Sequence, residues 1–328
     1  MAAERPIPTR RLRALVLGGC LAAAAMLQLL DANPAVSQTT SLQAFRIARP
    51  PELDPRASVW RRAPEVELAL TAQAVTYPFG GGNVPSLRVR AMHDGERLYL
   101  RVTWRDDTDD SSTVAVEDFA DAVALQFPAV AAASAPAICM GQADAGVNIW
   151  QWRADREQPM PTAIEDLHPD GYVDMYQSTD DLYFPAREAG NPNAQPDVGS
   201  VQDLIAVGFG SLGPASDRSV TGAGDWDGEE WAVVFARPFD VGGDQRPTFT
   251  VGTTTDVAVA AWNGATDDRN GQKAISPFLQ LSISGAELPT AQKSDLQVLG
   301  IVGLTFVGGV TVIVGFAYLL DRDTGRRA

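Results

Sequence analysis

The sequence predicts an all-β body, a sandwich or barrel built as one domain with irregular insertions, and three observations predict it. Apolar residues recur at every second position in short runs. The runs are bounded by Gly, Pro and Asp. Long stretches of 3.6-residue periodicity are lacking outside the two ends of the chain. With 328 residues, 45% apolar and 20% charged, the chain can bury one or two cores, so disorder is excluded.

At the start, Arg5, Arg10, Arg11 and Arg13 precede an apolar, Ala-rich run from Ala14 to Leu30, and Ala35-Val36-Ser37 supplies the small residues of a cleavage site. Residues 1–37 therefore read as a secretory signal peptide. The Arg10-Arg11 pair raises the twin-arginine route, although the residues around it suit the general secretory route better. Cys20 sits inside the apolar run rather than after it, which argues against a lipoprotein.

The exported domain is expected over 38–292. Within it, Leu87 to Trp104 alternates on both sides of His93-Asp94-Gly95-Glu96, and Asp-Gly between alternating runs predicts a hairpin. Further strands are expected at Val66–Leu70, Ala122–Phe127, Val147–Trp152, Leu204–Phe209, Trp231–Phe235, Thr248–Ala261 and Phe278–Ile283. Residues 185 to 228 are rich in Gly, Pro, Asn, Asp and Ser and read as a long decorated connection.

Near the end, Val298 to Leu320 is 23 residues without a charge, enough to cross a bilayer at about 1.5 Å per residue, so a membrane helix is expected over 296–320. Its glycines, among them Gly300, Gly303 and Gly308, suit membrane packing. Arg322, Arg326 and Arg327 follow it, which by the positive-inside rule places the tail 321–328 in the cytoplasm and the body at the extracytoplasmic or periplasmic face.

Composition excludes several functions. Twenty-six Lys and Arg stand against 41 Asp and Glu, a formal net charge of −15, so a nucleic-acid partner is excluded. The acidic excess steers a basic partner or simply keeps the body soluble, and both readings stay open. Cys139 is the one cysteine of the mature chain, so neither a disulfide framework nor a Cys-built zinc or iron–sulfur site can form. His93 and His168 are the only histidines, too few for a multi-histidine metal site, and His93 reads as a polar turn residue. Phosphate-loop, dinucleotide and nucleophile-elbow motifs are absent, and Gly80-Gly81-Gly82 reads as a flexible turn. Asp106-Asp107, Asp109-Asp110, Asp180-Asp181 and Asp267-Asp268 lack calcium-loop spacing and read as solvated turns. Hydrolysis by two carboxylates stays open, because their separation in space is not written in the sequence.

The most informative feature is a usage bias. Of the 26 basic residues only Lys273 and Lys293 are lysines, and Lys293 is juxtamembrane, so Lys273 is the sole lysine of the body. A site needing only positive charge would use Arg, as this chain does elsewhere. Lysine adds an amine that can lose its proton and donate a lone pair, which makes Lys273 a candidate nucleophile or metal ligand, against the alternative of an ordinary surface lysine. Met140, in Cys139-Met140-Gly141, reads as either core packing or a thioether ligand.

Several segments resemble the haem b-binding γ subunits of periplasmic molybdenum enzymes of the dimethyl sulfoxide reductase class, a group that includes ethylbenzene dehydrogenase, dimethylsulfide dehydrogenase, selenate reductase and chlorate reductase. The resemblance spans about residues 50 to 285. It rests on Ala91-Met92-His93-Asp94-Gly95 with Leu98 to Trp104, on Phe119 to Pro128, on Cys139-Met140-Gly141 with Asn148 to Trp152, and on Trp262-Asn263-Gly264 with Gly271-Gln272-Lys273 and Ser276. It implies an immunoglobulin-like or carbohydrate-binding-module-like β-sandwich holding one haem b between a Met and a Lys, which by motif are Met140 and Lys273. The absence of Cys-x-x-Cys-His makes that haem non-covalent. Trp150, Trp152 and Phe127 are then candidate pocket walls.

The resemblance further implies a non-catalytic electron-transfer subunit. Its partners would be an iron–sulfur subunit, a molybdenum-bearing catalytic subunit, and a soluble cytochrome c or quinone-linked protein. The carboxy-terminal membrane helix departs from the soluble members of the group and suggests a tethered complex, as would suit a nitrite-oxidising or nitrate-reducing relative. The rival reading is a cofactor-free sugar-binding or adhesive sandwich with Met140 in the core and Lys273 on the surface; an enzyme acting by itself is disfavoured by the shortage of His, Cys and nucleophile motifs.

Overall fold

The computed structural model describes residues 41–157 except 114 and 131–134, residues 177–178, 181–182 and 189, and residues 199–289 except 244. The expected leader over 1–37, the membrane helix over 296–320, the tail over 321–328 and His168 lie outside the described residues. Among the described residues no helix is long and apolar enough to cross a membrane.

The body is built from strands. In chain order they are β1 (Ser41–Arg46), β2 (Glu65–Ala69), β3 (Thr71–Ala72), β4 (Ser86–His93), β5 (Arg97–Arg105), β6 (Ala122–Pro128), β7 (Val147–Arg153), β8 (Gln177–Ser178), β9 (Asp181–Leu182), β10 (Val201–Ala206), β11 (Gly213–Pro214), β12 (Thr221–Trp226), β13 (Glu230–Pro238), β14 (Thr254–Trp262), β15 (Ala274–Ile275) and β16 (Leu279–Glu287). One path of hydrogen-bonded strands runs β11-β10-β7-β6-β14-β16-β1-β4-β5-β13-β12. It folds over at β14, where Thr254–Val257 pair with β16 and Ala258–Trp262 pair with β6. The two halves face each other across one core, with Trp104 of β5, Trp152 of β7 and Trp231 of β13 in mutual ring contact at 4.9–6.3 Å. Burying several such rings supplies the largest apolar contribution to the fold.

Alternation decides which side chains fill that core. Leu98, Leu100, Val102 and Trp104 point inward from β5, whereas Arg101 and Thr103 point outward and pair across to β4. The Asp94-Gly95-Glu96 turn is as expected: Asp94 Oδ1 accepts from the Glu96 and Arg97 amides at 2.8 and 2.7 Å, and Gly95 adopts φ 103°. These bonds hold the Asp94 carboxyl below its ordinary value against the opposing effect of burial.

Several expectations are corrected. Residues 185 to 228 are not only a connection, because they contain β10, β11 and β12. His93 is no solvated turn residue: it is fully buried at the end of β4, its Nε2 lies 2.7 Å from the Ser284 carbonyl and its ring packs on Phe239. Asp106 and Asp268, read as solvated, are buried. The carboxyl oxygens of Asp106, Asp110 and Asp121 lie within 4.8 Å of one another, each satisfied by donors. Asp121 accepts from the Gly264 and Asp110 amides and the Trp231 indole at 2.9–3.0 Å, tying the loop before β6 to the end of β14. Burial pushes Asp121 up to about 7, with a smaller upward push from Asp106, against three hydrogen bonds that pull down.

Candidate functional site

The outer face of the β6-β7-β14 half carries a cavity of about 670 Å³, within the range of ligand sites. Because side chains alternate, inward positions Val123, Leu125 and Phe127 of β6 go to the core, leaving Ala122, Ala124 and Gln126 as floor. Across the register, Ala258 pairs with Gln126 and Ala260 with Ala124. The floor is therefore a smooth patch of alanine methyls with Trp262 at one end and Gln126 at the other.

Trp150, Trp152 and Phe127 are not the pocket walls. All three are fully buried between the two halves, and their neighbours Ile149, Gln151 and Arg153 line the cavity instead.

Met140 enters from a turn over the Gln126 end. Cys139, Met140 and Gly141 take φ values of 63°, 91° and 67°, so two non-glycine residues in succession hold left-handed backbone. Such strain costs of order 1–3 kcal/mol per residue and persists only where the surroundings impose it. Gln126 is part of what imposes it: its Oε1 accepts from the Met140 amide and its Nε2 donates to the Ala137 carbonyl, both at 3.3 Å. The Gly141 amide closes the turn onto Ala137 at 3.0 Å. No sequence motif announces Gln126, although a polar residue inside an otherwise apolar strand was a visible signal.

Lys273 lies just before β15, and Gly81 of the Gly80–Gly82 run packs flat against its backbone while Gly82 packs against Ala72. A Cβ on Gly81 would come within 2.1 Å of the Lys273 nitrogen. The Lys273 amide donates to Gly80 at 3.0 Å and its carbonyl accepts from Gln73 at 2.9 Å. Gln73, buried, donates from Nε2 to the carbonyls of Thr76, Pro78 and Gly271 at 2.9–3.1 Å. The glycines are thus an abutment and not merely a flexible turn.

The Lys273 residue is only 8% exposed, so it is no ordinary surface lysine. Its Nζ sits 5.0 Å from the Trp262 ring centroid, and among the described residues no carboxylate pairs with it. Burial lowers its pKa, with a small opposing effect from the Cys139 thiol. Burial raises the pKa of that thiol, opposed by Lys273. Thus the residues singled out in the sequence, Met140 and Lys273, line one cavity. A soft sulfur, an amine biased toward its neutral form and a flat apolar floor together fit a planar metal macrocycle.

The fold and cavity define a β-sandwich with a ligand-sized site on the outer face of one sheet half. The chain belongs to the ethylbenzene dehydrogenase family, whose profile matches residues 57–274. It is 28% identical over 236 residues to dimethylsulfide dehydrogenase subunit gamma of Rhodovulum sulfidophilum, covering 68% of this chain and 72% of that one. It is 25% identical over 270 residues to chlorate reductase subunit gamma of Ideonella dechloratans, covering 80% and 93%. A protein of Haloferax mediterranei assigned as a respiratory nitrate reductase heme subunit is 25% identical over 261 residues, covering 79% and 78%. All three are gamma or heme subunits of oxidoreductases. A family 9 carbohydrate-binding module from Caldicellulosiruptor kristjanssonii superposes with a TM-score of 0.37 at 10% identity over 77% of this chain and 100% of that one, too distant to bear on function.

Proposed function

We propose that the chain is an electron-transfer subunit that holds one non-covalent haem b in this cavity, with Met140 and Lys273 as the axial ligands. The observation that carries the reading is the convergence of a strained methionine turn and a buried lysine without a carboxylate partner on one apolar cavity, in a chain whose relatives include a heme subunit. When bound, the haem supplies one-electron chemistry at iron.

The chain's own residues do the rest. Lys273 offers a lone pair only as the neutral amine, and burial lowers the free energy needed to reach that form. Gln126 fixes the Met140 turn, and a thioether ligand favours the reduced state. The alanine floor admits a flat group, Met140 and Lys273 would hold it, and a haem so held would carry single electrons rather than bind substrate, in keeping with a non-catalytic subunit.

By analogy with the gamma subunits, the partners would be an iron–sulfur subunit, a molybdenum-bearing catalytic subunit and an external cytochrome c or quinone-linked protein. Export by the 1–37 leader and tethering by the 296–320 helix would place the body at the extracytoplasmic face. The absorption spectrum of the purified protein tests the reading: a Soret band with sharp reduced α and β bands is expected, altered in both Met140→Ala and Lys273→Ala. A Lys273→Ala protein with unchanged spectra in both redox states overturns the ligand assignment. A colourless protein that takes up no haem overturns the function and favours the cofactor-free sandwich.

A further inference from the structure

The sheet half opposite the cavity presents arginines on its outer face. Along β4 the outward positions are Arg88 and Arg90, and along β5 they are Arg101 and Thr103. Arg90 is the direct cross-strand partner of Arg101, and Arg88 of Thr103. Like charges placed directly opposite each other destabilise a strand pair, and Glu65, beside Arg90, offsets only part of this repulsion, because Arg101 has no carboxylate of its own.

The segment from Pro55 to Arg61 folds over these strands, and Arg101 Nε donates to the Pro55 carbonyl at 2.6 Å. Arg56, Arg61, Arg88, Arg90 and Arg101 thereby line a concavity of about 410 Å³, together with Glu65 and Glu230. The carboxylates at hand are already engaged. Glu65 pairs with Arg90 at 2.8 Å, Glu230 pairs with Arg88, and Arg56 takes Asp225 and Asp227 at 2.8 and 2.9 Å. Among the described residues neither Arg101 nor Arg61 has a carboxylate partner. Arg101 carries the strain of this arrangement. Burial, followed by the charges of Arg90, Arg56 and Arg88, pulls its pKa down to about 10, while Glu65 opposes.

We propose that this concavity binds a small free dianionic oxyanion of the phosphate or sulfate kind, with Arg101 at its base as the principal donor and Arg61 at its rim. A guanidinium presents paired N–H groups in one plane, which match two oxygens of such an ion. The five arginines outnumber the four carboxylates that pair with them, so the concavity keeps a positive charge for an oxyanion to meet. Such an ion also relieves the Arg90–Arg101 repulsion, which a neutral ligand would not. The roof formed by Pro55–Arg61 favours a small ion over the flat face of a partner protein.

The test is thermal unfolding of the full chain against phosphate and against sulfate, with ionic strength held constant by chloride and acetate as the carboxylate control. A saturable rise of the midpoint with phosphate and sulfate, absent with acetate, is expected. Arg101→Gln should weaken the half-saturation point about tenfold or more, the effect of one charge-assisted hydrogen bond. Arg61→Gln, an exposed substitution on which folding does not depend, should weaken it as well and serves where Arg101→Gln fails to fold. A phosphate response no larger than that of chloride, an equal response to acetate, or unchanged half-saturation in the variants overturns the proposal. The readout does not involve the haem cavity, so its failure leaves the proposed function untouched.

Discussion

Replacing Gly81 by Ala probes the link between the glycine run and Lys273. The new Cβ would lie 2.1 Å from the Lys273 nitrogen and 2.5 Å from its Cα, and φ at Gly81 is +79°. Backbone atoms cannot rotate aside, so the segment bearing Lys273 has to move. Left-handed backbone costs alanine about 1 kcal/mol. Moving Lys273 also sacrifices the bonds from its amide to Gly80 and from Gln73 to its carbonyl, each worth about 1 kcal/mol. The sum is about 3 kcal/mol, or a fall in Tm of roughly 6–12 °C for a body of this size. Gly199→Ala is the matched control: φ is +60° and nothing lies within 4 Å of the added Cβ, so only the conformational cost remains, roughly 2–4 °C. Differential scanning calorimetry of both variants, with absorption spectra of the haem-loaded proteins, reads stability and ligation separately. If Gly81→Ala falls no further than Gly199→Ala, or keeps the wild-type reduced spectrum, the abutment argument is refuted.

Three further outcomes are expected. Ala260→Leu projects into the cavity from the floor, so it should leave the unfolding midpoint of the haem-free protein within about 1 kcal/mol while sharply reducing haem uptake in a titration. Arg237 is fully buried, bonds Asn148 Oδ1 at 3.1 Å and lies 4.5 Å from the Phe249 ring centroid; Arg237→Ala should cost about 3 kcal/mol or more by urea denaturation, and a loss under 1 kcal/mol would contradict that burial. Burial pushes the Asp121 carboxyl up to about 7 in the folded protein, whereas the unfolded chain releases its proton in the ordinary carboxylate range of about 4. Stability from the neutral carboxyl is thus present at low pH and lost as pH rises toward 7, and Asp121→Asn should flatten that slope in denaturation series between pH 4 and 8.

Much of the fold was legible because its strands alternate against near neighbours. The β4-β5 hairpin pairs residues only a few positions apart, and its Asp-Gly turn is encoded locally. By contrast β1 pairs in parallel with both β16 and β4, so its partners are remote and its six residues carry little signal of their own. Strand β12 was hidden for a different reason: Thr221–Trp226 contains Gly222 and Gly224 and reads as a loop. A Cβ on Gly224 would lie 2.2 Å from the Trp152 ring, and one on Gly222 would lie 2.6 Å from a Val201 methyl. The glycines are there to admit the opposing side chains.

The site shows the same division between what local pattern reveals and what packing decides. Lys273 stood out through the choice of Lys over Arg, a chemical preference visible in composition. The walls did not, because large aromatics carry the stronger sequence signal and alanines carry almost none. The gap between two sheet halves of about 10 Å must be filled with large side chains, which is where Phe127, Trp150 and Trp152 go. A cavity on an outer face requires the reverse, side chains that stop at Cβ. Strand β6 reads Ala122-Val123-Ala124-Leu125-Gln126-Phe127, and β14 carries Ala258 and Ala260 at the facing positions. Small residues recurring with period two on adjacent strands, opposite large ones, therefore mark the face where a ligand lies, and on that rule the floor beneath Met140 and Lys273 was already written in these strands.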